Sequence, residues 1–269
     1  MPAVNVSSSN LPESVYIYAE RYYMLGNWKE LEDQDWFPDF LRRMQTDYIG
    51  FMVRLLGVYH RLDAVVEVVF KRMGHRAMLD LCSGNGEAVL SLAERCRPDS
   101  LILTDKFPAQ IVLPNQRFVY DTASRDALRD DFPVRHMRTM FNAWHHFSLQ
   151  EQRTLLQKHG PDGLLVAEVL EPDALTFLRV GLASTLLQVL LCPFVKPLRL
   201  LRLLFTWIVP VNIFTVLYDG WVSVAHSKPF SVLVKDVKEN LPEGCQVESG
   251  CYFHLLTKVN WFLVSPNDR

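Results

Sequence analysis

Paired cysteines are missing from this sequence. Its five, Cys82, Cys96, Cys192, Cys245 and Cys251, are an odd number with no CxxC among them. That pattern excludes a disulfide framework and supplies no zinc spacing, so no metal is expected. An excess of one charge is missing too. Lys and Arg total 28 against 30 Asp and Glu, a formal net charge of −2, which is not the balance of a nucleic-acid binder. The opening stretch MPAVNVSSSNLPES lacks a basic n-region and an apolar h-region. The expectation is no secretory signal and a cytoplasmic, reducing location.

What is present is a chain of 269 residues, 49% hydrophobic and 22% charged, enough to bury a large α/β core. From Glu13 to Met73 the pattern is helical and forms an N-terminal helical cap over 1–74. One helix starts near Pro38 and carries Leu41, Met44, Tyr48, Phe51, Met52 and Leu55 at helical spacing. Another runs from about Leu62 to Met73, with Gly74 as its stop. The pattern then changes. Apolar runs at Ala77–Cys82, Leu101–Thr104, Arg117–Tyr120, Met137–Phe141 and Gly163–Val169 alternate with helices at Glu87–Cys96 and Leu149–His159. This reads as βαβ units and a mainly parallel sheet over 75–269. The Gly250 region and Lys258–Val264 close it as an antiparallel pair.

The strongest motif is Asp80-Leu81-Cys82-Ser83-Gly84-Asn85-Gly86, set between a strand and a helix. Glycines there let backbone pass close beneath a ligand, and the helix start offers free N–H groups. The spacing is not GxGxxG, and no GK[ST] follows. Asp105 ends the next strand about 20 residues on, where an acid reaches ribose hydroxyls.

With LDLCSGNG (79–86), ILTD (102–105), SRDAL (124–128) and MFNAWHHF (140–147), the chain resembles the class I S-adenosylmethionine-dependent methyltransferases. Cys82 departs from the family pattern, which has glycine there. The resemblance implies a Rossmann-like α/β fold and S-adenosyl-L-methionine as cofactor. It implies Asp80 at the methionine end, and Ser83, Gly84 and Gly86 along the cofactor's backbone face. Asp105 would bind the ribose, Asp126 and Ala127 the adenine, and Asn142 would lie beside the sulfonium. The implied reaction moves a methyl group to a small, hydrophobic acceptor, with oxygen favoured as the receiving atom. A non-catalytic, membrane-associated binding or scaffold protein is a second reading. An NAD-dependent oxidoreductase is a third, and it lacks its GxGxxG loop.

For the chemistry, His145 and Glu168 are the candidate catalytic residues, since a base is needed only when the acceptor must lose a proton. Glu171 stands beside Glu168 and equally suits the start of the next helix ahead of Pro172. His146, Tyr22, Trp28 and Trp36 are candidate acceptor contacts, the last two from the acid- and aromatic-dense segment WKELEDQDWFP. Individually, Tyr22, Trp28 and Trp36 fit a hydrophobic cap with solvated acids better than a pocket, and the two histidines also suit local hydrogen bonds that help begin the next helix.

Residues 174–218 form an apolar helical insert that the family pattern does not require. Val180–Val195 and Leu203–Tyr218 are uncharged runs of 16 residues each, short of the roughly 20 needed to span a bilayer. Three readings stay open: a lid over a hydrophobic pocket, a peripheral contact at the inner membrane surface with Lys196, Arg199 and Arg202 toward head groups, or a homodimer interface. Similar inserts mark a bacterial-type subgroup of these methyltransferases.

Overall fold

The computed structural model describes residues 28–255 and 257–267. Strands β1 (Ala77–Leu81), β2 (Ser100–Thr104), β3 (Phe118–Tyr120), β4 (Met137–Phe141), β5 (Leu164–Glu168), β6 (Cys245–His254) and β7 (Thr257–Pro266) form one sheet. Its order is β3-β2-β1-β4-β5-β7-β6. The first five strands run parallel, and β7 pairs antiparallel with both β5 and β6.

Both faces of the central strands are covered, which explains their continuous apolar runs. In β5 the side chains alternate between two cores: Leu165 and Ala167 on one side, Leu164 and Val166 on the other. The first core is completed by helix α2 (Asp63–Met73) through Val66, Val69 and Phe70, and by α3 (Glu87–Cys96) through Val89, Leu92 and Ala93. The second takes Leu155 and Leu156 of α4 (Leu149–His159) and Leu233 and Val237 of α8 (Phe230–Glu239). Helix α1 (Asp39–Leu56) precedes these, with Leu41, Met44 and Tyr48 buried. Leu55, which shares its helical spacing, is exposed.

The insert is three helices: α5 (Ala174–Phe194), α6 (Leu200–Ile208) and α7 (Val211–His226). Counting uncharged residues alone understates α5, because the helix begins at Ala174, capped by Asp173, and passes through Arg179. It is long and apolar enough to cross a membrane, whereas α6 and α7 are bent by 81° at their junction. The polarity of the insert is inverted. Thr176, Ser184, Gln188, Thr206, Asn212 and Thr215 are buried between the helices, while Leu178, Leu182, Leu186, Leu190, Phe194 and Ile208 are exposed. Gly220 allows the close approach of α7 to α5, since a Cβ there would lie 2.6 Å from Val180 Cγ1.

Two of the three basic residues expected at head groups meet Asp47 of α1: Arg199 at 3.3 Å, still partly exposed, and Arg202. Arg202 does not face outward; it is 1% exposed. Its guanidinium donates to the Val195 and Pro197 carbonyls and pairs with Asp47 of α1. A guanidinium has five donors and can be buried only where acceptors surround it.

Candidate active site

Strands β1 and β4 are neighbours, and the chain leaves them toward opposite edges of the sheet. The carboxyl ends of such a pair open a crevice where ligands bind. Asp80 of β1 is buried there, and its Oδ1 accepts from Thr139 Oγ1 of β4 at 2.6 Å. No basic side chain offsets it among the described residues, and burial pushes its carboxyl up to about 7.

The loop after β1 is built on left-handed backbone. Cys82 has φ +56°, Gly84 +54° and Gly86 +78°. The first explains why a glycine belongs at position 82: the Cys side chain is tolerated there only at a backbone cost. Ser83 Oγ donates to the Asp80 carbonyl and accepts the Thr104 N–H, both at 3.1 Å. Its hydroxyl is therefore committed within the loop. Gly86 serves packing, since a Cβ there would meet Leu103 Cδ2 at 2.6 Å. Gly84 differs: among the described residues, nothing lies within 4 Å of where its Cβ would be. That space is the cradle a ligand could fill.

Asp105, just past β2, holds the loop shut. Its Oδ2 accepts the Gly84 N–H at 2.7 Å and its Oδ1 the Phe107 N–H at 2.8 Å. Burial raises its pKa against these two bonds. The carboxylate keeps further lone pairs for hydroxyl donors. The 124–126 stretch is tied to the same end, with Arg125 N–H donating to the Asp105 carbonyl at 2.8 Å. Asp126 Oδ1 accepts the Leu128 N–H, and Ala127 is buried. Asn142, after β4, has φ +51° and donates its N–H to the Ala167 carbonyl of β5. Two non-glycine residues in the left-handed region thus end adjacent central strands, and such strain collects at functional sites.

Solved structures share this fold. The chain is similar to the plantazolicin methyltransferase BpumL in complex with SAH, at 11% identity and a TM-score of 0.59, covering 93% of this chain and 100% of that one. It is also similar to human N-acetylserotonin methyltransferase in complex with SAM, at 12% identity and a TM-score of 0.52, covering 95% and 67%. The fold is that of a class I methyltransferase. No protein-family model and no curated protein matches the sequence.

Within that fold, the histidine pair sits past β4. Glu168 closes β5, and its Oε1 accepts the Trp144 N–H at 2.8 Å. Its Oε2 lies 2.7 Å from His145 Nδ1, so the carboxylate fixes the imidazole in the tautomer protonated at Nδ1. His145 Nε2 is buried without a hydrogen-bond partner among the described residues and stands 3.8 Å from Glu30 Oε1. His146 is arranged likewise. Its Nδ1 is 2.8 Å from Asp33 Oδ2, and its Nε2 is 3.7 Å from Glu30 Oε2. Burial pushes the Glu30 carboxyl up to about 8, with His146 opposing. Burial would lower His146, but Glu30 and Asp33 together hold it well above its usual value.

Glu30 departs from the reading of its segment as a cap with solvated acids, because it is buried, whereas Asp33 stays exposed. Glu30 is buried because Asp219 of α7 clamps the backbone beside it, accepting the Leu31 and Glu32 N–H groups at 2.7 and 3.1 Å and Gln45 Nε2 at 2.8 Å. Asp35 pairs with Lys106 at 3.2 Å, and Arg42 lies 3.8 Å from the Phe107 ring centre. The segment thus runs from the insert to the loop after β2. Trp28 stacks on Tyr218 of α7 with ring centres 5.9 Å apart. Trp36 is 69% exposed and touches Phe37 edge-on, so it does not wall an enclosed pocket. Tyr22 lies outside the described residues. Glu171 neither starts a helix nor faces the crevice empty-handed: its Oε1 accepts Lys258 Nζ and Asn260 Nδ2. Glu30, Asp33 and Thr139 were not legible as site residues, because their partners lie 59 to 115 positions away.

Proposed function

We propose that this protein transfers a methyl group from S-adenosylmethionine to a small, hydrophobic acceptor, with oxygen as the receiving atom. Asp80 carries the reading: a buried carboxylate at the switch point, without a cation among the described residues, in the same loop region as the open space over Gly84. Its environment suits an ammonium group, which would restore the missing charge. When bound, S-adenosylmethionine supplies a methyl group already activated on a sulfonium, so the protein's task is mostly alignment. Asp80 would hold the methionine ammonium, Asp105 the ribose hydroxyls, and Asp126 with the Ala127 N–H the adenine. Asn142 would lie beside the sulfonium. Glu168 acts as a positioning residue for His145, whose Nε2 is its one open ring position and serves the acceptor.

Calorimetric titration with S-adenosylhomocysteine tests the cofactor site. The expected result is micromolar binding by the protein, and at least about tenfold weaker binding by Asp105→Ala. Absence of heat from well-folded protein would overturn the proposal.

The hydrophobic acceptor is supported by the insert. Its polar side chains face inward and its leucines outward, the reverse of a water-facing helix. Helices that meet through small and polar residues and present leucines outward suit a lipid surroundings. We therefore assign the outer face of α5 and α6 to one leaflet of a bilayer, with Lys196 and Arg199 at the head groups and Arg202 serving packing instead. In sedimentation with vesicles of phosphatidylcholine and phosphatidylglycerol, the protein should pellet with the lipid, and Leu186→Asp with Leu190→Asp should remain in the supernatant. A lipid-indifferent dimer would give the face to a second copy.

A further inference from the structure

We infer that Glu30, His145 and His146 form a binding site for one divalent transition-metal ion of the zinc class. This deepens the acceptor-side role of His145 in the proposed methyl transfer, although the ion site itself needs no methyl donor.

The first observation is convergence. One carboxylate oxygen and two imidazole nitrogens lie within 4.8 Å of one another. The Glu30 oxygens are 3.8 Å from His145 Nε2 and 3.7 Å from His146 Nε2. Ligands about 2.1 Å from a tetrahedral ion sit roughly 3.4 Å apart. The two gaps are too long for hydrogen bonds and near the separation a shared ion sets.

The second observation is that, among the described residues, Glu30 Oε1 and His145 Nε2 have no hydrogen-bond partner. Both atoms are buried, and the two side chains are 2% and 3% exposed. Two buried polar atoms that face each other beyond hydrogen-bond distance are both left unsatisfied in a dry site. An electron-pair acceptor between them would satisfy both.

The third is the outer layer. Each histidine gives its Nδ1 to a carboxylate, His145 to Glu168 and His146 to Asp33. That contact turns Nε2 inward on both rings and raises its basicity, as the carboxylate partners of ligating histidines do. Two imidazoles and one carboxylate favour zinc, iron(II), cobalt or nickel over magnesium or calcium, which prefer all-oxygen sets. Three protein ligands leave a coordination position open. An acceptor's oxygen could occupy it, with His145 then acting as a ligand rather than as the base.

The test is zinc titration of the intact protein after chelator treatment, read by a competing chromogenic chelator, with cobalt(II) as the spectroscopic probe. The expected result is one equivalent per chain, visible cobalt bands in the ligand-field region, and no competition from millimolar magnesium. Glu30→Gln should weaken zinc by about 100-fold, and the more exposed Asp33→Asn by about tenfold. Asp33→Asn keeps the test valid should Glu30→Gln fail to fold. Binding below about a tenth of an equivalent by protein that still binds S-adenosylhomocysteine would overturn the ion site and leave the cofactor reading intact. So would unchanged zinc affinity in both variants, which would assign any bound zinc to the free cysteines.

Discussion

Asp80→Ala should raise the dissociation constant for S-adenosylhomocysteine by at least about 100-fold, close to 3 kcal/mol, while leaving the fold intact. The carboxylate lies on β1 inside the crevice, held by Thr139 and offset by no basic side chain among the described residues. Removing it deprives a ligand ammonium of its partner in a site shielded from water. In the free protein the same removal relieves a burden. Burial raises the Asp80 pKa from 3.8 to about 7, so the folded state holds a proton that the unfolded chain releases. Below about pH 4 both states are protonated and the group is neutral to stability. From about pH 4 to 7 the unfolded chain ionises first and stability falls. Above pH 7 the loss is complete, on the order of 4 kcal/mol. Asp80→Asn should therefore be more stable than the parent at pH 8, with the two converging toward pH 4 in chemical unfolding. Ligand binding should follow the opposite course. The ammonium favours the ionised carboxylate, so the dissociation constant should fall about tenfold per pH unit between 5 and 7 and then level. The asparagine variant should show a flat profile, and equal pH dependence in both proteins would remove Asp80 from the site.

Asp47→Ala should destabilise the protein by about 3 kcal/mol, seen as a lower unfolding midpoint in denaturant. Arg202 is fully buried and meets two carbonyls, but Asp47 is its one counter-charge at bonding distance among the described residues. Deleting that carboxylate leaves a desolvated guanidinium with half its compensation. Asp39→Ala provides the contrast. Its pair with Arg42 leaves the Asp39 side chain largely exposed, and exposed pairs contribute under about 1 kcal/mol. Equal losses in the two variants would show that burial of Arg202 does not set the cost. The Asp47 loss should also reach the insert first, so protease cleavage near Pro197 should precede global unfolding.

The sheet was readable from local pattern because its central strands are buried on both faces and end in turn residues. Met137–Phe141 and the antiparallel pairing of Lys258–Val264 fall where periodicity puts them. The glycine loop and Asp105 were readable because their relation is short in sequence: Gly84 and Asp105 are 21 positions apart and bonded. The histidine cluster was half readable. The pair His145-His146 stands out, but its partner Glu30 comes from a segment whose acids look solvated until Asp219 clamps it. Arg202 looked like a head-group contact because charge in an apolar run resembles a surface. Its burial depends on Asp47, 155 residues away. Local propensity carries no information on such pairings.

The Asp219 clamp constrains any attempt at surgery on this molecule. Its carboxylate joins α7 to the backbone at Leu31 and Glu32 and to Gln45 of α1. The greasy helices are thus not an appendage spliced between β5 and the closing strands. Excision of residues 174–218 would take away the rod that carries Asp219 and leave Glu30 without its anchor. A trimmed, more water-soluble version would keep its sheet and lose the geometry at the top of β4 and β5.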